Sequence, residues 1–450
     1  MLRIFSNLCP LAALALAGPA TALAQEHAPD DPLARLVAEA VERNPRIAAA
    51  RHDTEALRAR ISPAGAWEDP VLALGFMNLP TTSFDFSDDF MTMKVVQLGQ
   101  RVPLPGQIGH RREAAALRAE AAGEAVAGIR VEVAGRMKRA YAEVYYRDRA
   151  LEIVERNLAL LRGLEEVTQS RYATGVGRQP AVLRSGLEID GLEAQRIELT
   201  ASRHAAVARL NALRDRPSAT PVGETSFPPG LRALAEHRPD RFAFASALGI
   251  GGGERGLTSP DELPSLDSLV GIALESKPEL RAHIARIAAQ REAVAHARAL
   301  RWPAPQFTVG YGEREGRPDM LNAMVSFSLP IFLGAKQGAA VREQTAVLTR
   351  EQATHQVMVA EIEREVTAAY TDVLDALGRL ELYDLGIMQR SRATLDATLS
   401  AYRSGAEDFL AVLDSQARLY GFELERHRRI ADLISAWAEL ETAVGQEIAP

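Results

Sequence analysis

The sequence predicts a mainly α-helical protein built from two structural repeats, each with one β-hairpin and one pair of very long helices. The first observation is a duplication: residues 170–175 (SRYATG) recur as residues 400–405 (SAYRSG), at an offset of 230. The second is a pattern of apolar residues at steps of four and three, which is typical of long helices packed side by side. The third is a pair of short segments ahead of each long helix in which apolar and polar residues alternate, as in strands.

Residues 1–24 are predicted to be a signal peptide. Arg3 supplies a positive charge, residues 11–23 are apolar and rich in Ala and Leu, and an A-x-A cleavage site ends at Ala24. Such a segment is removed from the mature protein and takes no part in the fold. The single cysteine, Cys9, lies inside it, so we expect a mature chain without disulfide bonds or thiolate metal sites.

Charge and hydropathy narrow the possible functions. The chain has 52 basic and 59 acidic residues, a net charge of −7. This argues against a nucleic-acid partner, because such a partner needs a basic face. After the signal peptide, no run approaches the roughly 18 apolar residues that a membrane-spanning helix needs. If the protein crosses a membrane, we expect it to do so with strands.

The sequence contains no catalytic or cofactor-binding pattern. The motifs G-x-S-x-G and H-E-x-x-H are absent, and residues 251–253 (GGG) lack the strand, Lys and Ser/Thr of a phosphate-binding loop. The nine histidines are scattered without ligand spacing. We therefore predict that the protein is not an enzyme and that it holds no cofactor and no metal.

The first repeat, residues 25–214, is predicted to contain a helix, a β-hairpin and a long helix pair. Pro63 ends the first helix, and the proline-free stretch 107–179 makes a helix too long for a compact domain. Gly175 and Gly177 mark the turn into the return helix. The predicted elements are a helix at 32–61, a β-hairpin at 70–102, a long helix from 107 to about 170, a tip near 171–178 and a return helix at 180–213.

The second repeat, residues 266–450, follows the same plan. Its second strand has the clearest β pattern in the chain, with one apolar and one mostly polar face. An unbroken apolar seam runs from Ile362 to Ile387 along its long helix. Between the repeats, residues 215–265 contain several prolines and are predicted to be an irregular connector. The predicted elements are a helix at 266–300, a β-hairpin at 305–329 and a long helix pair with its tip near 401–408.

The predicted strands have the length needed to cross a membrane. About nine residues suffice for a tilted strand, and strands cross lipid only in closed barrels, because an open edge leaves backbone groups unpaired. One chain supplies four strands, whereas membrane barrels begin at about eight. We therefore predict that several subunits pool their strands in one barrel, and three chains would supply twelve strands. The alternative is a β-sheet in a soluble mixed domain.

The chain resembles the TolC-type outer-membrane efflux channels over nearly all of its mature length. The second tip is the most specific part: residues 402–405 (YRSG) and 412–415 (VLDS) are similar to the family's Tyr-x-x-Gly and Val-Leu-Asp-Ala motifs. The resemblance implies a homotrimer in the bacterial outer membrane, in contact with its lipid, with a large periplasmic part. It implies a trimeric, twelve-stranded β-barrel that continues into a long α-helical barrel. It also implies two partners, a periplasmic adaptor (membrane fusion protein) and an inner-membrane pump of the RND type.

Two shorter segments indicate one branch of that family. Residues 69–80 (DPVLALGFMNLP) and 103–106 (PLPG) are similar to segments of the heavy-metal efflux channels, the CusC/CzcC-like branch. This resemblance implies a passive conduit that exports small solutes, in particular heavy-metal cations. The alternatives are a periplasmic adaptor protein of an efflux pump, or the same channel scaffold serving drug efflux or protein secretion.

By resemblance, the two tips form the periplasmic gate, where the family's closed state uses a Tyr, an Arg and an Asp. The helix-turn glycines are Gly175 and Gly405. Glu407 stands where the family has Arg, so we expect Arg403 or Arg178 to supply the cation. The alternative is that the tip tyrosines only cap helix packing. The candidate gate residues are Tyr172, Arg178, Tyr402, Arg403, Asp408 and Asp414.

Methionines are concentrated around the hairpins. Met77, Met91, Met93, Met320 and Met324 are five of the nine methionines in the chain. Thioether sulfur suits soft ions such as Cu(I). Because Met91 and Met93 are two residues apart and share one strand face, however, ordinary apolar barrel surface in contact with lipid is the favoured interpretation.

Overall fold

Long helices dominate the structure. The computed structural model describes residues 31–175, 179–236 and 263–448. The predicted signal peptide, Arg178 and the part of the connector at 237–262 lie outside these described residues. None of the described helices is both long and apolar enough to span a membrane.

The first repeat begins with short helices, continues through a β-hairpin and ends in a long helix pair. Its long helix, α4, has 67 residues and is therefore about 100 Å long at about 1.5 Å per residue. With the start of the connector, the elements are α1 (Pro32–Arg43), α2 (Pro45–Ala59), α3 (Ile61–Ala64), β1 (Val71–Met77), β2 (Met93–Arg101), α4 (Gln107–Ala173), α5 (Gln179–Leu213) and α6 (Pro229–Glu236).

The second repeat has the same order, with one irregularity in its long helix. A π-helical turn, Leu382–Ile387, separates that helix into two parts. The other elements are α7 (Leu266–Ser276), α8 (Pro278–Ala299), β3 (Pro305–Glu313), β4 (Met320–Phe327), α9 (Gln337–Glu381), α10 (Met388–Arg403) and α11 (Phe409–Val444).

The helices predicted at 32–61 and 266–300 are each broken before a proline, so the prediction of one continuous helix was wrong in both repeats. Asn44 precedes Pro45 and Lys277 precedes Pro278, and both adopt extended backbone with ψ of 123° and 119°. A residue before proline disfavours the α region, whereas proline suits the first position of a new helix. The Asn44 side chain also accepts a 3.0 Å hydrogen bond from the Arg46 amide, which caps α2.

The π-turn displaces the predicted apolar seam by one residue. The predicted positions from Ile362 to Leu380 are buried, but beyond the turn the buried residue is Met388 rather than Ile387. A π-turn arises where an α-helix gains one residue. The extra residue returns the apolar side of α10 to the core, so the predicted seam was wrong only at its end.

Part of the predicted irregular connector is ordered and packs on the long helices. Helix α6 buries Leu231 and Leu234, which lie one turn apart and form its apolar face. The Tyr141 hydroxyl on α4 donates a 2.9 Å hydrogen bond to the Ser226 carbonyl and accepts a 2.7 Å hydrogen bond from the Ser226 amide. These contacts hold the start of the connector against the side of α4.

The main core lies where α4, α9 and α11 pack against the shorter helices α1 and α7. Each fully buried large apolar side chain contributes about 1.5–3 kcal/mol relative to an exposed one. Gly135 brings α4 close to α11, because a Cβ atom there would collide with the Thr442 side chain. The central residues include Val133, Met137, Tyr141, Val366, Val373, Leu433 and Leu440.

The strands form one antiparallel sheet in the order β1–β2–β3–β4. Side chains alternate between the faces along a strand, and directly paired residues share a face. One face is mainly apolar and is called the apolar face, although Lys94, Gln100 and Glu313 also lie on it. It carries Leu72, Leu74, Phe76, Val96, Leu98, Phe307, Val309, Tyr311, Leu321, Ala323, Val325 and Phe327.

The opposite face, called the mixed face, combines glycines, polar residues, methionines and small apolar residues. Gly310 leaves the space that the Asn322 side chain occupies. The four strand methionines lie here, opposite the leucines and aromatic residues, so the prediction that they belong to the apolar surface was wrong. The register places on this face Val71, Ala73, Gly75, Met77, Met93, Val95, Gln97, Gly99, Arg101, Gln306, Thr308, Gly310, Gly312, Met320, Asn322, Met324 and Ser326.

Candidate gate at the helix tips

Each long helix pair reverses at a glycine. At the first tip α4 ends at Ala173 and Gly175 has a φ of 76°. At the second tip α10 ends at Arg403 and Gly405 has a φ of 80°. This left-handed backbone favours glycine, which has no Cβ atom to collide with the following carbonyl. The two glycines therefore determine where the helices turn.

Asp408 has a structural role at the second tip. It is the N-cap of α11, and its carboxylate accepts a 3.1 Å hydrogen bond from the Ala411 amide. Loss of such a cap costs about 1 kcal/mol of helix stability. The carboxylate also favours the positive end of the helix dipole. Asp408 was predicted as a gate residue, and the structure shows it engaged in capping its own helix.

The two tips of one chain meet through a small apolar cluster. Leu161 of α4, Ala181 of α5, and Phe409 and Leu413 of α11 form its buried centre. Tyr402 packs against this cluster, with its ring centroid 5.9 Å from that of Phe409. The cluster is separate from the main core, so it fastens the tips independently of the packing higher in the helices.

Arg171, near the end of α4 in the first helix pair, contacts Tyr402 of α10 in the second helix pair. Its guanidinium donates a 2.5 Å hydrogen bond to the Tyr402 hydroxyl, and its central carbon lies 4.9 Å from the ring centroid. Sequence reasoning did not identify Arg171 as a site residue. The available signal was that the duplicated motif has Arg171 in one copy and Ala401 at the matched position in the other.

The other predicted gate residues lie at the tips but in different surroundings. Asp414 pairs with Arg418 of the same helix at 3.0 Å, and its side chain is 67% exposed. Tyr172 is about half exposed near the end of α4. Arg403 is the exposed last residue of α10. Arg178 lies outside the described residues. Among the predicted gate residues in the described part of the chain, Tyr402 contacts an arginine of the other helix pair.

Two buried polar side chains, away from the tips, join the two helix pairs. The Gln416 amide donates a 2.7 Å hydrogen bond to the Asn157 side-chain oxygen, and both residues are buried between α4 and α11. Asn157 in turn donates to the Ile153 carbonyl at 2.8 Å. Polar groups buried in an apolar seam cost free energy if they slip out of register. The pair therefore fixes how α4 and α11 align along their length.

A polar cavity of about 520 Å³ lies beside the π-turn. Residues of α4, α10 and α11 line it, together with the π-turn itself. Two ion pairs cross it, Arg426 with Asp384 and Arg156 with Glu423, each at 2.5 Å. The pairs connect the π-turn to α11 and α11 to α4.

His427 lies in the wall of this cavity. Its Nδ1 is 3.1 Å from the Tyr145 hydroxyl, with which it shares a hydrogen bond. Burial, with further contributions from Arg426 and Arg149, lowers the pKa of His427 to about 4. Because burial and neighbouring cations disfavour the charged imidazolium, His427 is neutral at neutral pH.

Comparison with known proteins places the chain in a family. The family profile described as "Outer membrane efflux protein" matches residues 36–214 and 269–446, which are most of both repeats. The chain belongs to the outer membrane efflux protein family. This family consists of channels, and the match does not favour the alternative of a periplasmic adaptor. A search of curated proteins gives no match.

Solved structures share the fold of this family member over nearly the whole chain. The outer-membrane channel OprN has a TM-score of 0.73 at 20% identity, covering 94% of this chain and 91% of OprN. CusC has a TM-score of 0.71 at 16% identity, covering 92% of this chain and 92% of CusC. VceC of Vibrio cholerae has a TM-score of 0.70 at 17% identity, covering 92% of this chain and 96% of VceC. These nearly equal scores establish the fold but do not distinguish the heavy-metal branch.

Proposed function

We propose that this protein is the outer-membrane channel of a tripartite efflux system and acts as a passive conduit from the periplasm to the exterior. Three chains form a homotrimer, whose strands close a β-barrel in outer-membrane lipid and whose long helices continue as an α-helical barrel through the periplasm. The partners are a periplasmic adaptor and an inner-membrane pump of the RND type. The protein is not an enzyme and works without a cofactor.

The four-stranded sheet is the observation that carries this proposal. It has one mainly apolar face, and β1 and β4 are its outer strands. An open sheet edge in lipid leaves backbone N–H and C=O groups unpaired at a cost of several kcal/mol each. Pairing β4 of one chain with β1 of the next removes both edges. Three chains then supply twelve strands, which is within the range of membrane barrels.

The tips form the gate in this proposal. Arg171 and Tyr402 belong to different helix pairs of one chain, so their contact holds the second tip against the first. When the contact breaks, the helix pair α10 and α11 is free to move away from α4 and widen the opening of the channel at the tips. The pump supplies the energy of transport, and the channel itself only opens and closes.

Heavy-metal cations are the proposed cargo. The support is the similarity of residues 69–80 and 103–106 to segments of the heavy-metal efflux branch. Drug efflux and protein secretion use the same scaffold, so the cargo requires a test that does not depend on the fold.

Assembly is tested by isolating outer membranes and comparing unheated and heated samples by gel electrophoresis in detergent. We expect the protein in the outer-membrane fraction, migrating as a trimer until it is heated. Recovery of the chain in a fraction that needs no detergent would contradict the channel proposal.

The cargo is tested by deleting the gene and measuring growth with copper, silver, zinc, cobalt or cadmium. We expect at least one metal to inhibit the deletion strain at a several-fold lower concentration, with recovery when the gene is restored. Sensitivity confined to detergents and antibiotics would contradict the metal cargo while leaving the channel intact.

A further inference from the structure

The polar cavity beside the π-turn gathers arginines from three helices. Arg149 and Arg156 of α4, Arg392 of α10 and Arg426 of α11 all line it. Its volume of about 520 Å³ is within the range of about 300–1,000 Å³ that is usual for small-molecule sites. Single π-turns inside α-helices are also frequent at functional sites. The cavity therefore has the size and the surroundings of a ligand site.

The lining of this cavity is positively charged at neutral pH. Its carboxylates are Glu152, Asp384 and Glu423, so four arginines against three carboxylates leave a net charge of +1. Neutral His427 adds nothing to this sum. Burial is the largest cause of the low pKa of His427, about 4, but the arginines of the cavity also lower it, and they outweigh Asp384, which raises it. The field that His427 experiences thus has the same sign as the net charge.

Many guanidinium N–H groups in the cavity remain free to bind a ligand. Each guanidinium has five N–H donors. Among the described residues, Arg426 hydrogen-bonds Asp384 through Nε alone, and Arg156 hydrogen-bonds Glu423 through one terminal nitrogen alone. The Arg392 side chain has no hydrogen-bond or ion-pair partner in that part of the chain. Three arginines from three helices therefore have unused donors beside one cavity.

We propose that this cavity binds a small multivalent oxyanion, that is, a compound with a phosphate group or several carboxylates. The planar guanidinium fork matches two oxygens of either group at once. Arg392 offers its whole fork, and Arg426 and Arg156 offer the nitrogens that their ion pairs leave free. A metal cation would be repelled by the net positive lining, and a neutral solute would gain nothing from it. The site itself does not depend on the proposed function.

A bound oxyanion fastens the two helix pairs to each other. Helix α4 belongs to the first pair, and α10 and α11 belong to the second, so a ligand held by Arg156, Arg392 and Arg426 adds contacts between them. In the proposed gate, the second pair moves away from α4 when the channel opens. A ligand that binds the closed arrangement better than the open one shifts the channel toward closing. This consequence, unlike the site, rests on the proposed function.

Isothermal titration calorimetry of the full-length protein in detergent tests the site. Sodium citrate and sodium phosphate are separate probes, in buffer of constant ionic strength at pH 7.5. We expect saturable binding of at least one probe, and the one that binds identifies carboxylates or phosphate as the recognised group. Arg392→Gln should bind that probe at least about tenfold more weakly, because hydrogen bonds between charged groups are lost. No saturable binding of either probe would overturn the proposal.

Arg390→Gln is the matched control for Arg392→Gln. Arg390 is exposed on the same helix, two residues earlier, and is absent from the described lining of the cavity. Both variants remove one positive charge, so an effect of overall charge would weaken binding equally in the two. We expect Arg390→Gln to bind as the wild type does, and all three proteins to unfold at the same temperature without the probe. Equal losses of affinity in both variants, or unchanged affinity in Arg392→Gln, would contradict the site.

Single-channel recording in planar bilayers separates the site from the proposed function. The probe that binds should shorten the open times of the wild type and of Arg390→Gln several-fold, and leave those of Arg392→Gln unchanged. Unchanged open times in the wild type, with binding intact, would contradict the effect on the gate. A wild-type protein that binds the probe but does not conduct would confirm the site and contradict the channel proposal.

Discussion

Arg171 and Tyr402 make the contact on which the proposed gate depends. An exposed cation–π contact contributes about 0.5–1 kcal/mol, and a hydrogen bond with one charged partner about 1.5–3 kcal/mol. The contact is therefore strong enough to bias a tip toward the closed arrangement. It is also weak enough for a docking partner to reverse, since a partner need only bind the open state a few kcal/mol more tightly.

His427 makes the stability of the helical region depend on pH. In the folded chain its pKa is about 4, below the ordinary histidine value of 6.5, so below pH 6.5 the unfolded chain binds the extra proton. The stability from neutral His427 is complete above pH 6.5 and is lost as the pH falls toward 4. Since one pKa unit corresponds to about 1.4 kcal/mol, the loss at pH 5 is about 2 kcal/mol.

The prediction for His427 is tested by chemical unfolding at pH 7.5 and pH 5. From pH 7.5 to pH 5, the free energy of unfolding of His427→Gln should fall by about 2 kcal/mol less than that of the wild type, because glutamine does not titrate. The matched control is His52→Gln, which alters an exposed histidine on α2 and should lose as much as the wild type. Equal losses in His427→Gln and the wild type would contradict the prediction.

At the scale of elements, the end of α11 is joined to the break between α7 and α8. Gly445 caps α11 with a φ of 88°, and a Cβ atom there would lie 2.9 Å from the Lys277 Cα atom. We predict that Gly445→Ala lowers the stability by about 1–3 kcal/mol, because both the backbone conformation and the space require glycine. Thermal unfolding followed by circular dichroism measures the effect.

The matched control for Gly445 is Gly421→Ala in the same helix. Gly421 lies inside α11, and no heavy atom is within 4 Å of a Cβ atom added there. Alanine is the better helix former by about 1 kcal/mol, so this variant should be as stable as the wild type or more so. A Gly445→Ala variant that is also unchanged would contradict the account of this helix end.

The π-turn gives a second prediction at this scale. It contains one residue more than an α-helix needs between the buried residues Leu380 and Met388. Deleting Gly386 should convert the turn to α-helix and leave both buried faces in place. A deletion in the regular helix α11, at Gly421, has no extra residue to absorb it and should rotate the rest of that helix by about 100°. Equal loss of stability in both variants would contradict this interpretation.

Sequence periodicity predicted the long helices well, because steps of four and three over many residues have no other structural explanation. It missed the breaks at Asn44 and Lys277, where the effect of proline on the preceding residue outweighs an apolar pattern that continues through it. It also missed the π-turn, since one inserted residue changes the phase of a pattern without ending it. Both kinds of error are local, and they left the order of elements correct.

The candidate site was predicted in its location but not in its contacts. The turn glycines gave the tips because left-handed backbone has a clear residue preference. Arg171 was not identified because its partner Tyr402 is 231 residues away, and a single sequence contains no distances across helices. The methionine face was likewise assigned wrongly, because the register between β2 and β3 depends on the pairing of the two hairpins. Only the paired strands reveal which side chains share a face.

At the scale of the whole molecule, the two repeats are alike in architecture and unequal at their tips. Arg171 of the first copy contacts Tyr402 of the second. The reciprocal pair would be Ala401 with Tyr172, which has no cation. The matched positions 178 and 408, and 184 and 414, also carry Arg in the first copy and Asp in the second. A trimer in the proposed assembly thus has three Arg–Tyr contacts rather than six, one for each chain.

Single-channel conductance in planar bilayers, measured for a double-mutant cycle, tests the central claim most directly. The account predicts that Arg171→Ala and Tyr402→Phe each raise the conductance or the open time several-fold. The double variant should add little to the effect of Arg171→Ala, because both changes remove the same hydrogen bond. Arg390→Ala, on the same helix α10 as Tyr402 but away from the tip, should behave as the wild type does. Wild-type conductance in both single variants, or fully additive effects in the double variant, would contradict the account.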